Sequence, residues 1–197
     1  MKLKDMKVKV FSLIEEYYPS ETTLAEDEDV KNKINGVINQ IMMDLMPLRK
    51  LEASTEIEVE QNDDKKIDIK NYIDNLYQID AIYFDDETDY EMLNSTTIKL
   101  PNDYAGTFTV YYYKFPELVK LTFDSENDSA AYDDKYTFEL DDDILEVMPY
   151  GVAADLLKMD MISNYGQYFY NRYLEMKQRI DSRRTSGSIR ITNGVDI

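Results

Sequence analysis

Residues 37–60 read VINQIMMDLMPLRKLEASTEIEVE, and within this stretch the apolar spacing changes from helical to strand-like. Upstream, Val30, Ile34, Val37, Ile38, Ile41 and Leu45 return every three or four residues, which places them on one stripe of an α-helix. Pro47 ends that pattern, because proline has no amide hydrogen to give a helix interior. From Ser54 the period is two: Ile57 and Val59 alternate with Glu56, Glu58 and Glu60, as in a strand with one buried face. The chain passes here from a helical segment to a β segment.

Working outward, Leu3, Met6, Val10, Leu13, Ile14 and Tyr17 predict a short amphipathic helix that stops at Pro19. Thr23 followed by Glu26 is a capping box for the second helix, and Asp27 and Asp29 add negative charge near the positive end of its dipole. Gly36 inside that helix has two readings, a close helix approach or a surface glycine. Downstream, three further alternations predict strands: Tyr77, Ile79, Ala81 and Tyr83; Phe108, Val110 and Tyr112; Tyr136, Phe138 and Leu140. Pro101-Asn102-Asp103 with Gly106, and the acidic stretch Asp124 to Asp134, read as turns between them. Asp141-Asp142-Asp143 caps the next helix, which Pro149 kinks or restarts. Leu156, Met159, Ile162, Gly166, Phe169, Tyr173, Met176 and Ile180 then predict one long helix reaching almost to Arg183, whose stripe must meet the first two helices in a bundle. In the final RRTSGSIRITNGVDI, Ser188 to Ile191 read as a short strand.

The chain has 197 residues, 43% of them hydrophobic, which suits a packed core. It contains no cysteine and no histidine. That removes disulfide frameworks, thiolate nucleophiles, histidine triads and the usual zinc ligands. The net charge is -18, and it is unevenly placed: residues 51–150 carry 26 acidic and seven basic side chains, the remaining residues 14 and 15. Such a balance argues against a surface that grips nucleic acid. No apolar run is long enough to span a membrane and no signal peptide opens the sequence, so a soluble, intracellular protein is expected. The fold class expected is α+β: a small helical bundle with an inserted β-sandwich-like module and an extended C-terminal tail. The divisions are 1–52 with 143–182 as a discontinuous bundle, 53–142 as an acidic β-rich insertion, and 183–197 as an extended arm.

Candidate chemistry is sparse. Asp85 to Glu91 and Asp124 to Asp128 space oxygen ligands as calcium loops do, yet lack the glycine and glutamate of an EF-hand. No glycine-rich phosphate loop is present, and Tyr111-Tyr112-Tyr113 fits a strand with tyrosines on both faces. No catalytic, cofactor-binding or metal-ligating residue is therefore assigned, and no enzyme activity is expected. Tyr165, Tyr168, Phe169, Tyr170 and Tyr173 are more aromatic residues than one helix face holds, so part of the cluster, with Tyr170 and Tyr173, is expected at a subunit interface. In the tail, Arg183, Arg184 and Arg190 are basic, and Ile189, Ile191, Val195 and Ile197 alternate as a half-buried strand does, so these residues are expected to join a neighbouring chain.

The segments Asp103-Tyr104-Ala105-Gly106-Thr107 into Val110-Tyr111-Tyr112-Tyr113 and Phe115-Pro116, then Asp141 to Asp143 with Met148 to Lys158, and finally Tyr173 to Ile180, resemble the head-to-tail adaptor (connector) proteins of tailed bacteriophages. The resemblance covers about residues 23–182. It implies a ring, typically of twelve copies, seated under the portal protein, contacting tail or neck proteins and passing viral DNA through its lumen without specific binding. It places the protein in the virion neck, and in the host cytoplasm during assembly. The alternative is a calcium- or carbohydrate-binding adhesion module.

Overall fold

A computed structural model describes residues 1–17, 28–61, 64–84, 88–158 and 163–185. The fold is α+β, and the chain divides into two compact units: residues 1–49 with 118–197, and residues 50–117. Among the described residues the first unit holds five α-helices: α1 (Leu3–Tyr17), α2 (Glu28–Leu45), α3 (Glu126–Lys135), α4 (Asp142–Lys158) and α5 (Ser163–Thr185). The second holds six strands: β1 (Leu51–Val59), β2 (Lys66–Asp68), β3 (Leu76–Phe84), β4 (Glu91–Met92), β5 (Thr97–Lys99) and β6 (Gly106–Lys114).

In the helical unit α4 is the centre. Ile144, Leu145, Val147, Met148, Val152, Ala153, Ala154, Leu156 and Leu157 are all buried, so the helix is apolar around most of its circumference and needs cover on several sides. α1, α2 and α5 supply it. α1 gives Leu3, Met6, Val10 and Ile14, and α2 gives Ile34, Val37, Ile38, Ile41, Met42 and Leu45. Pro149 lies inside α4, which continues through it. The expected single helix from Leu156 to Arg183 is two: α4 ends at Lys158 and α5 begins at Ser163. α5 packs back along α4, which one straight helix cannot do with itself.

The expected boundary at 142 also moves. Residues 118–142 belong to the helical unit, so the β unit is 50–117 rather than 53–142. The acidic stretch read as a turn contains α3, because Ser125 caps it by accepting from the Asp128 amide at 3.2 Å and Glu126 and Asp128 favour its N-terminus. α3 has no fully buried residue and is held by Lys7–Asp133 at 2.7 Å, Lys4–Asp134 at 3.1 Å and the ring contacts of Tyr132 with Phe123 and Tyr136. Tyr136 to Leu140 is not a strand of the β unit. Its apolar side chains are buried in the helical unit, and its backbone meets the chain start: the Leu3 amide donates to the Tyr136 carbonyl and the Phe138 amide to the Met1 carbonyl, each at 3.1 Å. Alternation gave the right inward residues but not the partner they pack on. The segment that returns from the β unit is pinned by α2, where the Asn39 side chain donates to the Val119 carbonyl and accepts from its amide, both at 2.8 Å.

The β unit has two three-stranded antiparallel sheets, ordered β1-β6-β3 and β2-β5-β4. They share one core, in which Ile57, Val59, Phe108 and Val110 of the first meet Ile67, Ile98, Ile69 and Leu100 from around the second. β1 and β6 pair without interruption from Leu51↔Lys114 to Val59↔Gly106, so the period-two pattern reads true along both. β3 differs. Register shifts at Leu76/Gln78 and Ile79/Ala81 change its phase, so Ile82 and Phe84 pack on the core while Tyr77 and Tyr83 face outward.

The two helical glycines have opposite surroundings. A Cβ on Gly151 would lie 2.9 Å from the Tyr173 ring and 3.0 Å from Ile41, whereas one on Gly36 would meet nothing within 4 Å. Gly36 is thus a surface glycine. Urea unfolding should show Gly151→Ala destabilised by about 1–3 kcal/mol through overpacking, and Gly36→Ala stabilised by up to about 1 kcal/mol through helix propensity.

Candidate assembly interface

α5 carries two different aromatic faces. Gly166, Phe169, Tyr173 and Ile180, spaced by three, four and seven, are buried against the bundle. Tyr165 and Tyr168 start a second row that continues through Arg172, Glu175 and Arg179 on the outside. Glu175 accepts from Arg172 at 2.8 Å and also pairs with Arg179, so beyond its tyrosines this row is ion-paired and keeps one net positive charge. Tyr168 is 50% exposed. Beside it a cleft of about 420 Å³ is lined on its apolar side by Leu13, Tyr150, Tyr168 and Phe169 and on its polar side by Arg172 and Glu175. It runs on, through Leu13 and Tyr150, into a groove with Pro149 and Val8, which is 57% exposed. The result is a mixed groove over α1, α4 and α5, in which Val8, Leu13, Pro149, Tyr150 and Tyr168 are interleaved with Lys9, Glu146, Arg172 and Glu175.

The residues singled out from sequence divide accordingly. Tyr173 is not on this surface. Only 3% of it is exposed, because Gly151 leaves room for its ring and its hydroxyl donates to the Asp44 carboxylate. Tyr170 is half-buried, lining a separate cleft with Asp44, Gly151, Asp155 and Lys177. Arg183 and Arg184 fall in the last turn of α5 rather than in an extended arm, with side chains outside the described residues. Ile189, Arg190, Ile191, Val195 and Ile197 lie outside the described residues. Sequence reasoning missed Val8. An apolar residue off the 3-6-10-14 stripe of α1 was the available signal.

The acidic unit presents a second surface. On the outer face of its first sheet, Glu52, Ser54, Glu56 and Glu58 of β1 run beside Tyr113, Tyr111, Thr109 and Thr107 of β6. Tyr83 packs edge-on against Tyr111 with centroids 5.4 Å apart, and Tyr113 donates to Asp80 at 3.1 Å. The Lys50 ammonium lies 4.5 Å from the Tyr113 ring centroid.

Of the two calcium-like loops, Asp85-Asp86-Glu87 lie outside the described residues. Asp124 to Asp128 is the capped start of α3, where the Ser125 hydroxyl also donates to Asp128 at 2.8 Å. Among the described residues no three acidic side chains converge as a metal requires, and no helix is long and apolar enough to cross a membrane. No protein-family model matches the chain, and no curated protein matches it in sequence.

Asp44 links α2 to α5, taking hydrogen bonds from Tyr173 and from Lys177, the latter at 2.6 Å. Burial raises its pKa, but the hydrogen bonds from Lys177 and Tyr173 and the Lys177 charge outweigh that and hold the carboxyl below its ordinary value. Burial, then the hydrogen bond to the Asp44 carboxylate, pushes the Tyr173 phenol up. A carboxylate depressed in the folded state contributes stability above its unfolded value that is lost as pH falls through the folded one. Asp44→Asn should therefore cost about 1 kcal/mol at pH 7. The gap between the two proteins in denaturant unfolding should close as pH drops below about 4.

Proposed function

We propose that the protein is a structural component of a tailed-bacteriophage virion: a head-to-tail adaptor that forms a ring, joins the portal to the tail and lets DNA pass through its lumen. The observation that carries the reading is the set of exposed apolar and aromatic side chains along the mixed groove of the helical unit. Val8 of α1 and Tyr165 and Tyr168 of α5 stand exposed on helices whose other faces already fill the core, and aromatic residues in that setting are characteristic of subunit contacts. A bundle interrupted after its second helix by a β unit matches the organisation expected from the adaptor resemblance.

Charge supports the same reading. The β unit, residues 50–117, carries 16 acidic and six basic side chains. Its outer glutamates Glu52, Glu56 and Glu58 have no ion-pair partner among the described residues. A wall of this sign repels DNA phosphate, so a passing genome slides instead of sticking. The reading assigns no catalytic step, cofactor or metal. It places the protein at the virion neck, against the portal and the first tail or neck protein.

Negative-stain microscopy of the purified chain with its portal protein tests this. Rings coaxial with the portal are expected, and a chain that stays monomeric with no portal-bound density overturns the proposal. The double variant Tyr165→Glu with Tyr168→Glu should lose ring formation while its unfolding free energy stays within about 0.5 kcal/mol of the parent, as for other surface substitutions.

A further inference from the structure

Among the described residues, β1 hydrogen-bonds to β6 on one side and to nothing on the other. Along its nine residues, every second one turns its amide and carbonyl away from β6, a template for one more strand. Natural edges are guarded by proline, lysine or a bulge, and Leu51–Val59 has none of these. The opposite edge, β3, is broken by its two register shifts. β1 is therefore the stronger template of the two.

What β1 carries instead is a sign. Glu52, Glu56 and Glu58 stand exposed on the outer side, while Leu51, Ala53 and Thr55 are only half-buried on the inner side. Two β1 edges brought together would set glutamates against glutamates, which disfavours self-pairing. An incoming strand must be apolar on one side and basic on the other.

Residues 186–197 follow α5, lie outside the described residues and read SGSIRITNGVDI. The geometry points to residues 188–192 of a second copy as the strand that adds to β1. Ile189 and Ile191 extend the inner row beside Ala53 and Thr55, and Arg190 stands on the outer row among the glutamates. Backbone hydrogen bonds provide the attachment and the alternation fixes the register. A slip of one residue puts Arg190 on the apolar side and both isoleucines among carboxylates. Donor and acceptor lie on different units, so the contact is head-to-tail. This inference rests on the assembly of copies proposed above, and on nothing about portal or DNA.

The chain has no cysteine, so single introduced thiols report the contact in full-length protein. Ser54→Cys in one chain and Thr192→Cys in another, mixed dilute under mild oxidation, should give a disulfide-linked heterodimer. Its yield should exceed that of an Ala130→Cys acceptor on exposed α3 by about tenfold, because docking raises the local thiol concentration. Glu52→Lys, Glu56→Lys and Glu58→Lys together in the acceptor should lower the yield, and Arg190→Glu in the donor should restore it. A yield equal to the Ala130→Cys control overturns the docking. So does an intrachain disulfide at high dilution in a chain bearing both cysteines, since the tail then fills its own edge. Rings on the portal without this cross-link overturn the docking alone. A cross-link without portal-bound rings keeps the docking and overturns the adaptor reading.

Discussion

The helical unit depends on covering α4. A helix with isoleucine, leucine, valine, methionine and alanine buried around most of its circumference cannot lie on a surface, and each apolar face left in water forfeits roughly 25 cal/mol per Å². Its cover comes from both ends of the sequence: α1 from the N-terminus, α2 just before the β unit, and α5 from the C-terminal part. Residues 50–117 are consequently an excursion that leaves after Arg49 and returns at Leu118. The return is fixed by the paired hydrogen bonds of Asn39 to Val119, a side-chain amide standing in for a neighbouring strand. Arg49 reinforces the exit through its 3.0 Å ion pair with Asp143 in the first turn of α4. Gly151 allows the last piece of cover, because the Tyr173 ring occupies the space a side chain at 151 would take.

That dependence explains which parts of the fold were legible in the sequence. The α1 and α2 stripes and the alternations of β1 and β6 each report one buried face, and local spacing encodes a single face well. α4 and α5 together read as one long run, because an all-round apolar helix followed by a helix with a buried aromatic stripe keeps the three-to-four spacing across the break. Tyr136, Phe138 and Leu140 alternated as a strand does, yet they are buried in the helical unit and their backbone pairs with Met1 and Leu3, a long-range partner that no local pattern specifies. The phase of β3 was lost to its register shifts, which leave no mark in residue type. Tyr173 could not be told from Tyr168 by composition. Only the space at Gly151 and the carboxylate of Asp44 send one inward and leave the other outside.

Acidity has different physical consequences in the two units. In the helical unit Asp133, Asp134 and Asp143 are matched by Lys7, Lys4 and Arg49, and the partly buried Lys7–Asp133 pair is screened less than an exposed one. Those aspartates hold α3 and the start of α4 in place, so they belong to the fold. Glu52, Glu56 and Glu58 touch no cation among the described residues and add nothing to the core. The excess charge that marked 51–150 as one block therefore mixes two populations. The boundary at 142, where the Tyr136–Leu140 alternation ends and the charge changes together, overshot because neither local alternation nor charge counting tells which unit a segment packs on.

The same division bears on how copies of the chain would meet. The aromatic groove lies on the helical unit and the open acidic edge on the β unit, so the two surfaces differ in kind. The groove offers aromatic area bordered by charges of both signs, and the edge repels its own likeness. A self-complementary two-fold dimer needs one patch to serve both partners, a role that like charge on the acidic edge disfavours. Contacts between unlike patches repeat in one direction around or along an axis, and they end in a ring when the rotation per copy closes. In an assembly of the kind proposed, the groove would contribute buried area and the edge orientation, since strand addition fixes direction and register where apolar packing alone leaves both loose. An assembly built this way can be tight through tyrosine and selective through glutamate, with the two properties carried by different units.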